Sequence, residues 1–344
     1  MGIDAGTELK RLKMSDIARL CGVSTSTVSR ALAGSPLIQE ATREMIIEIA
    51  DANGYVINPL ARGLRLQRTN TIGVVFPLGA ITAQLISDPF FQQMLGHMVD
   101  EISLRGYQIL ISKVAPPKPG WLRELIKAHR TDGMVVIGQS DQHAALNDAG
   151  QVYRPLVVWG AHLPDQQYCV VGLDNETGGR MATEHLISIG RRRIAFLGDA
   201  SPPEIHQRHQ GYLAACRAAG LEVNARFDMP AAFSPQQAEA AAERLLSESP
   251  DVDAIFAASD VIALSALHVL RRAGKRVPDD VAVVGFDDAD VASHSNPPLT
   301  TVRQDLAHAA KLMVDQLFRR LDGESTDGVT LPPQLIIRQS TVAG

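Results

Sequence analysis

Near the start of the chain, apolar residues recur at helical spacing. Ile17, Ala18 and Cys21 share one helical face, and Val28, Ala31 and Leu32 share another. Between them lies Gly22-Val23, a turn, and then Ser24, a residue type that caps helix N-termini. The second segment leaves Thr25, Ser26, Ser29 and Arg30 facing outward. A third helix is predicted over roughly Gln39–Asn53, carried by Met45, Ile46, Ile49 and Ala50 and ended by Gly54. Two short amphipathic helices about a glycine-containing turn form a helix-turn-helix. That arrangement places its second helix in the major groove of DNA.

After Thr71 the pattern changes to short apolar runs alternating with longer amphipathic stretches. Strands are predicted at 72–76, 108–114, 133–137, 156–159, 193–197, 254–257 and 282–285. Helices are predicted at 90–106, 122–130, 178–189, 207–219, 236–247 and 261–273. Such alternation implies parallel sheets covered on both faces. Its restart midway implies two doubly wound α/β subdomains. Ligands of that architecture bind beyond the carboxyl ends of the strands.

The expected organisation is a disordered segment 1–12, a helix-turn-helix head 13–57, a hinge 58–69 and a ligand-binding and dimerisation domain 70–344. Within the last, the expected first subdomain is 70–160 plus 298–323, and the second is 161–297 plus 324–344.

Composition adjusts this picture in two ways. The net charge of −5 excludes a protein that coats nucleic acid over its whole surface. The charge is uneven: residues 1–70 hold nine Lys/Arg against seven Asp/Glu, which leaves 24 against 31 in the remainder. A slightly basic head on an acidic body is the expectation. The three cysteines are far apart, the ten histidines form no cluster with ligand spacing, and no secretory or membrane-spanning run is evident. No metal, no cofactor, no membrane association and a cytoplasmic location are expected.

The chain resembles the LacI/GalR family of bacterial transcription repressors over essentially all of residues 14–344. The resemblance rests on Val23-Ser-Thr-Ser-Thr-Val-Ser-Arg30, Ala61-Arg-Gly-Leu-Arg65, Asp88-Pro-Phe-Phe91, Asp174-Asn175, Val277-Pro-Asp-Asp-Val-Ala-Val-Val-Gly-Phe-Asp-Asp288 and Pro298-Leu-Thr-Thr-Val-Arg-Gln304, all in register. It implies a homodimer on a palindromic operator. It also implies a small-molecule effector between two periplasmic-binding-protein-like subdomains, with three chain crossings between them. The segments near 300–323 and 330–344 would complete the two sheets.

In the head, Arg30 suits bidentate contact with guanine O6 and N7. Thr25 and Ser26 are placed to reach base edges, and Ser24, Thr27 and Ser29 to reach phosphates. Lys13 stands where relatives often carry a capping Thr. In the hinge, the resemblance implies that Leu64, flanked by Arg62 and Arg65, enters the minor groove as an apolar wedge.

For the effector, a sugar needs planar charged groups that bind several hydroxyls, and aromatic faces for its C–H edges. Asp287, after a predicted strand, offers a carboxylate for two hydroxyls. Phe90 and Phe91 open the first long helix at the cleft rim. The resemblance assigns Arg208, Phe233, Asp174 and Ser259 to the cleft, the last where relatives often carry Asn. Trp159 departs from relatives that carry a carboxylate just after this strand. It offers a ring instead, suiting a larger mono- or disaccharide such as a glucoside, and Glu204 would restore an acid from the opposite wall.

The expected function is repression of carbohydrate-utilisation genes, relieved or imposed by that effector. The alternative is a non-sugar effector, a purine or another small metabolite acting as corepressor. An enzyme is disfavoured, because Ile72-Gly-Val-Val-Phe-Pro77 lacks the G-x-G-x-x-G of a dinucleotide fold.

Overall fold

A computed structural model describes residues 12–32, 35–55, 68–78, 84–115 and 117–342. The chain divides into two units, residues 1–67 and 68–344.

The first unit holds three helices, α1 (Met14–Cys21), α2 (Thr25–Leu32) and α3 (Glu40–Ala52). Their core is Ile17, Ala18, Val28, Ala31, Ile46 and Ala50, with Cys21 and Leu32 packed against it. Gly22 ends α1 in the left-handed region at φ 68°, which costs glycine least. Val23 then donates its N–H to Ala18 O at 3.0 Å, which aims the chain into α2. At the start of α1, Lys13 provides no side-chain cap, and the Asp16 carboxylate accepts the Lys13 N–H at 2.9 Å. Met45 lies off the core: it is exposed, because the inward stripe of α3 is set by Ile46 and Ala50, one turn apart.

The second unit contains two six-stranded sheets. The first is built from β1 (Thr71–Pro77), β2 (Gln108–Val114), β3 (Gly133–Ile137), β4 (Leu156–Trp159), β5 (Cys169–Leu173) and β11 (Val329–Leu331), in the order β11-β5-β4-β3-β1-β2. All its pairings are parallel. The second is built from β6 (Ile194–Leu197), β7 (Asp228–Met229), β8 (Ala254–Ala257), β9 (Ala282–Asp287), β10 (Thr300–Arg303) and β12 (Gln334–Ile336), in the order β12-β10-β9-β8-β6-β7. Only the β10–β12 pairing there is antiparallel. Fully buried runs such as Gly133–Ile137 and Ala254–Ala257 reflect helices on both faces.

The helices of this unit are α4 (Pro89–Leu104), α5 (Trp121–Lys127), α6 (His143–Gly150), α7 (Asn175–Ser188), α8 (Pro203–Ala218), α9 (Pro235–Glu248), α10 (Asp260–Arg272), α11 (Asp290–His294) and α12 (Leu306–Leu321). Among the described residues, no helix is long and apolar enough to cross a membrane.

Strand pairing corrects the expected subdomain limits. Cys169–Leu173 pairs with β4 and so belongs to the first sheet, which moves the first crossing from 160 to Asp174. Residues 300–303 pair with β9 in the second sheet, and only α12 returns to pack on α4 and the first sheet. Val329–Leu331 then joins the first sheet and Gln334–Ile336 the second. The chain therefore crosses after β5, after β10 and after β11. The strand β5 and the helix α6 escape a reading of periodicity. One is a short run broken by Gly172, and the other, His-Ala-Ala-Leu-Asn-Asp-Ala-Gly, carries one large apolar side chain.

Candidate functional site

A cavity of about 80 Å³ opens between the two sheets, at the carboxyl ends of their strands. A water needs roughly 10–15 Å³ by the same measure, so the space takes several hydroxyl-sized groups. Its floor comes from the ends of β1 (Pro77, Leu78), β3 (Ile137, Gly138), β4 (Trp159) and β9 (Asp287). Phe90 and Phe91 from α4, Glu204 and Arg208 from α8, Phe233 and Gln304 complete the wall.

Close packing of α7 on α8 positions Arg208. A side chain at Gly179 would meet the Arg208 carbonyl oxygen at 2.0 Å, and one at Gly211 would meet the Glu176 oxygen at 2.0 Å. Glycines therefore let the helices touch. Arg208 is buried, donating from Nε to Asn175 Oδ1 at 2.9 Å and from Nη1 to Ala258 O at 2.6 Å. Its guanidinium carbon lies 3.6 Å from the Phe286 ring centroid, a cation–π arrangement. The nearest Asp287 oxygen is 3.9 Å from Nη1.

Asp287 is itself buried and held in a backbone conformation that L-residues rarely adopt, at φ 120°. Gln304 Nε2 donates to its Oδ1 at 2.6 Å. Burial pushes the Asp287 carboxyl up to about 7, against the pull of Arg208 and with help from the charge of Asp88. Directly behind, Asp260 is raised by burial and by Asp287. It accepts Thr301 Oγ1 at 2.6 Å and the Ala289 N–H at 2.8 Å. Burial also raises Glu204 and Asp88 and lowers Arg208. One guanidinium thus serves a group of carboxyls that resist ionisation.

Aromatic faces stand against this polar wall. Phe90 lies 6.3 Å from Trp159 and 5.4 Å from Phe91, whose ring meets Phe76 edge-on. The cavity therefore offers apolar faces beside hydroxyl-binding groups and holds no nucleophile–base pair. No cluster suited to a metal ion occurs among the described residues.

In the first unit, Ser24, Thr25, Ser26 and Arg30 are exposed and Thr27 and Ser29 are half-buried. Ser24 Oγ caps α2, accepting the Thr27 N–H at 3.1 Å, and lies 2.7 Å from Ser26 Oγ and 2.8 Å from Thr27 Oγ1. The Arg30 guanidinium makes no ion pair or hydrogen bond among the described residues, so it is available to a partner. Arg62 and Leu64 lie outside the described residues.

Residues 13–58 match the family described as bacterial regulatory proteins, lacI family, and residues 183–341 match a periplasmic binding protein-like domain. The transcriptional regulator CelR of Thermobifida fusca is 36% identical over 96% of this chain and 98% of its own. The transcriptional repressor CytR of Escherichia coli K12 is 30% identical over 96% of both chains. The chain belongs to the LacI family. A solved complex of the regulator CelR with cellobiose superimposes with a TM-score of 0.70 at 34% identity, covering 96% of this chain and all of that one. A lac repressor dimer bound to operator shares the fold at TM-score 0.85 and 24% identity, covering 97% of this chain and all of that one.

As a LacI-family member, the protein is a DNA-binding transcriptional repressor, not an enzyme. Of the residues expected at an effector site, Phe90, Phe91, Trp159, Glu204, Arg208, Phe233 and Asp287 line the single cavity described above. Asp174 and Ser259 are not among its lining residues. Each caps a helix: Asp174 Oδ1 accepts the Thr177 N–H on α7, and Ser259 Oγ accepts the Ile262 N–H on α10. Gln304 and Gln84 line the cavity without having been expected there. Gln304 was visible as the last residue of the Pro298–Gln304 stretch that carries the family resemblance. Gln84 follows no pattern in the sequence.

Proposed function

We propose that this LacI-family protein represses carbohydrate-utilisation genes and is controlled by a sugar or glycoside bound in the cleft between its two sheets. One observation carries the reading: Arg208, Asp287, Glu204 and Gln304 face the same cavity as Trp159, Phe90 and Phe233. Hydroxyls need the first group, and sugar C–H edges suit the second. The solved CelR–cellobiose complex supports it, as the complex of a relative spanning the same length. A planar purine acting as corepressor is the alternative, since the same rings would stack on a base.

In this reading Arg30, Thr25 and Ser26 contact base edges and Ser24, Thr27 and Ser29 contact phosphates of a palindromic operator. Arg62 and Leu64 bind the minor groove from the hinge. Two copies pair to match the palindrome. Val99 and Leu104 on α4 and Ile111 on the edge strand β2 are exposed apolar residues, and in this reading they face the second copy. Effector and operator then bias one two-state element, so their coupling is reciprocal.

The test is a thermal-shift screen of the full chain against mono- and disaccharides, purines and amino acids. A ligand that binds the folded state raises Tm by mass action. A shift confined to sugars is expected, together with operator DNA changing sugar affinity by the same factor, and in the same direction, as the sugar changes operator affinity. A shift confined to purines or amino acids overturns the sugar reading. Leu64→Ala binding operator with wild-type affinity overturns the wedge.

A further inference from the structure

The cleft already places an acidic side chain at a helix end. α8 begins with Pro202 as its cap and Pro203 as its first residue, so neither position offers an N–H. The His206 N–H is accepted by Pro202 O at 2.8 Å, which leaves the Glu204 and Ile205 amides at this end. Its own main-chain N–H and that of Gln139 partly offset the burial that raises the Glu204 carboxyl. Across the cavity the Gln139 N–H points at Glu204 Oε1 at 3.4 Å. The side chain thus sits in the first turn of α8, at the positive end of the helix, and faces an amide of the other subdomain.

The other helix end at this cavity is closed in the same way. The Asp88 carboxylate accepts the Phe90 N–H at 3.0 Å and Gln84 Nε2 at 3.1 Å. Arg208 is the one Lys or Arg in the described lining, and its Nε and Nη1 are already engaged. An incoming dianion would therefore meet Glu204 and Asp287, with Arg208 as the one Lys or Arg facing it among the described lining residues.

We infer that Glu204 decides the charge class of effector, its carboxylate occupying the position where an anionic substituent would bind, so that the cleft takes uncharged glycosides and rejects phosphorylated and uronic-acid sugars. This rests on the sugar reading above. Discrimination here is repulsive, which is how a site rejects a close analogue that shares every favourable contact.

The experiment compares pairs on the full chain: glucose with glucose 6-phosphate and with glucuronate, and cellobiose with the same anions. In wild type, the neutral member of a pair is expected to bind at least 100-fold more tightly. In Glu204→Gln, which keeps the shape and removes the charge, that ratio is expected to fall at least tenfold. Inorganic phosphate serves as a probe that needs no sugar. At matched ionic strength it should raise the Tm of Glu204→Ala more than that of wild type. A urea midpoint for each variant verifies folding. The proposal is overturned if the phosphorylated sugar binds wild type as tightly as its parent, or if neither variant differs from wild type in ratio or phosphate response. If no sugar of either class binds, the sugar reading falls, and the phosphate comparison still decides the role of Glu204.

Discussion

The Arg208 guanidinium stacks 3.6 Å from the centroid of Phe286, the residue that precedes Asp287, whose carboxylate lies 3.9 Å from its Nη1. Ring and carboxylate arrive together because β9 ends at Asp287 with one side chain on each side of the turn. The cation is therefore fixed by a covalently adjacent pair, and the ligand-facing carboxylate cannot move without it.

Removing that cation should be severe. Arg208→Ala leaves Asp287, Asp260 and Glu204 without their shared counter-charge, a loss of about 3–5 kcal/mol for a broken buried pair. Arg208→Lys is expected to recover only part of it, because an ammonium cannot reach Asn175 Oδ1 and Ala258 O while covering the Phe286 ring. Urea unfolding of both variants measures the difference.

The elevated Asp287 carboxyl makes stability depend on pH with a definite sign. Its folded value of about 7 exceeds the ordinary 3.8, so the folded state holds a proton that the unfolded state has released. Between these limits its contribution to stability falls as pH rises. Asp287→Asn removes that term. Relative to wild type, the variant should gain stability progressively from about pH 4 to pH 7, as read by denaturation midpoints across that window. A difference independent of pH would refute the assignment.

Ser24 carries a local prediction. Its hydroxyl accepts the Thr27 N–H, so Ser24→Ala exposes an unsatisfied helix end and should destabilise the head by about 1 kcal/mol. Calorimetry of the full chain should show the head transition moving down while that of the second unit, residues 68–344, stays put.

Arg30 is expected to act on sequence and not only on charge. Arg30→Ala should weaken operator binding by about 1–3 kcal/mol and relax preference at one base pair in each half-site. Titration against operators substituted one position at a time would show this. Uniform weakening at all positions would make Arg30 a phosphate contact instead.

The helix-turn-helix was legible because each of its parts is local. Gly22 is needed for a left-handed turn, Ser24 for a cap within three residues, and Ile17, Ala18, Val28 and Ala31 for a face set by helical period. The strands 133–137, 156–159 and 254–257 were legible for a similar reason, as runs buried on both faces. The edge strand β2 was legible as an apolar run although none of its residues is fully buried and Gln108, Ile111 and Lys113 are exposed.

Tertiary structure decided the rest. Period and capping say nothing about which sheet a strand joins, so β5 and β10 were assigned to the wrong subdomain until pairing with β4 and β9 placed them. Residue type alone could not separate Asp174 and Asp287, two carboxylates beside strand ends. One is spent on a helix amide of its own segment, and the other is held open to the cavity by Gln304, 17 positions away. Glu204 shows the same limit. The chain supplied an acid after two prolines, but only the tertiary structure brought it within 3.4 Å of the Gln139 N–H from the other sheet.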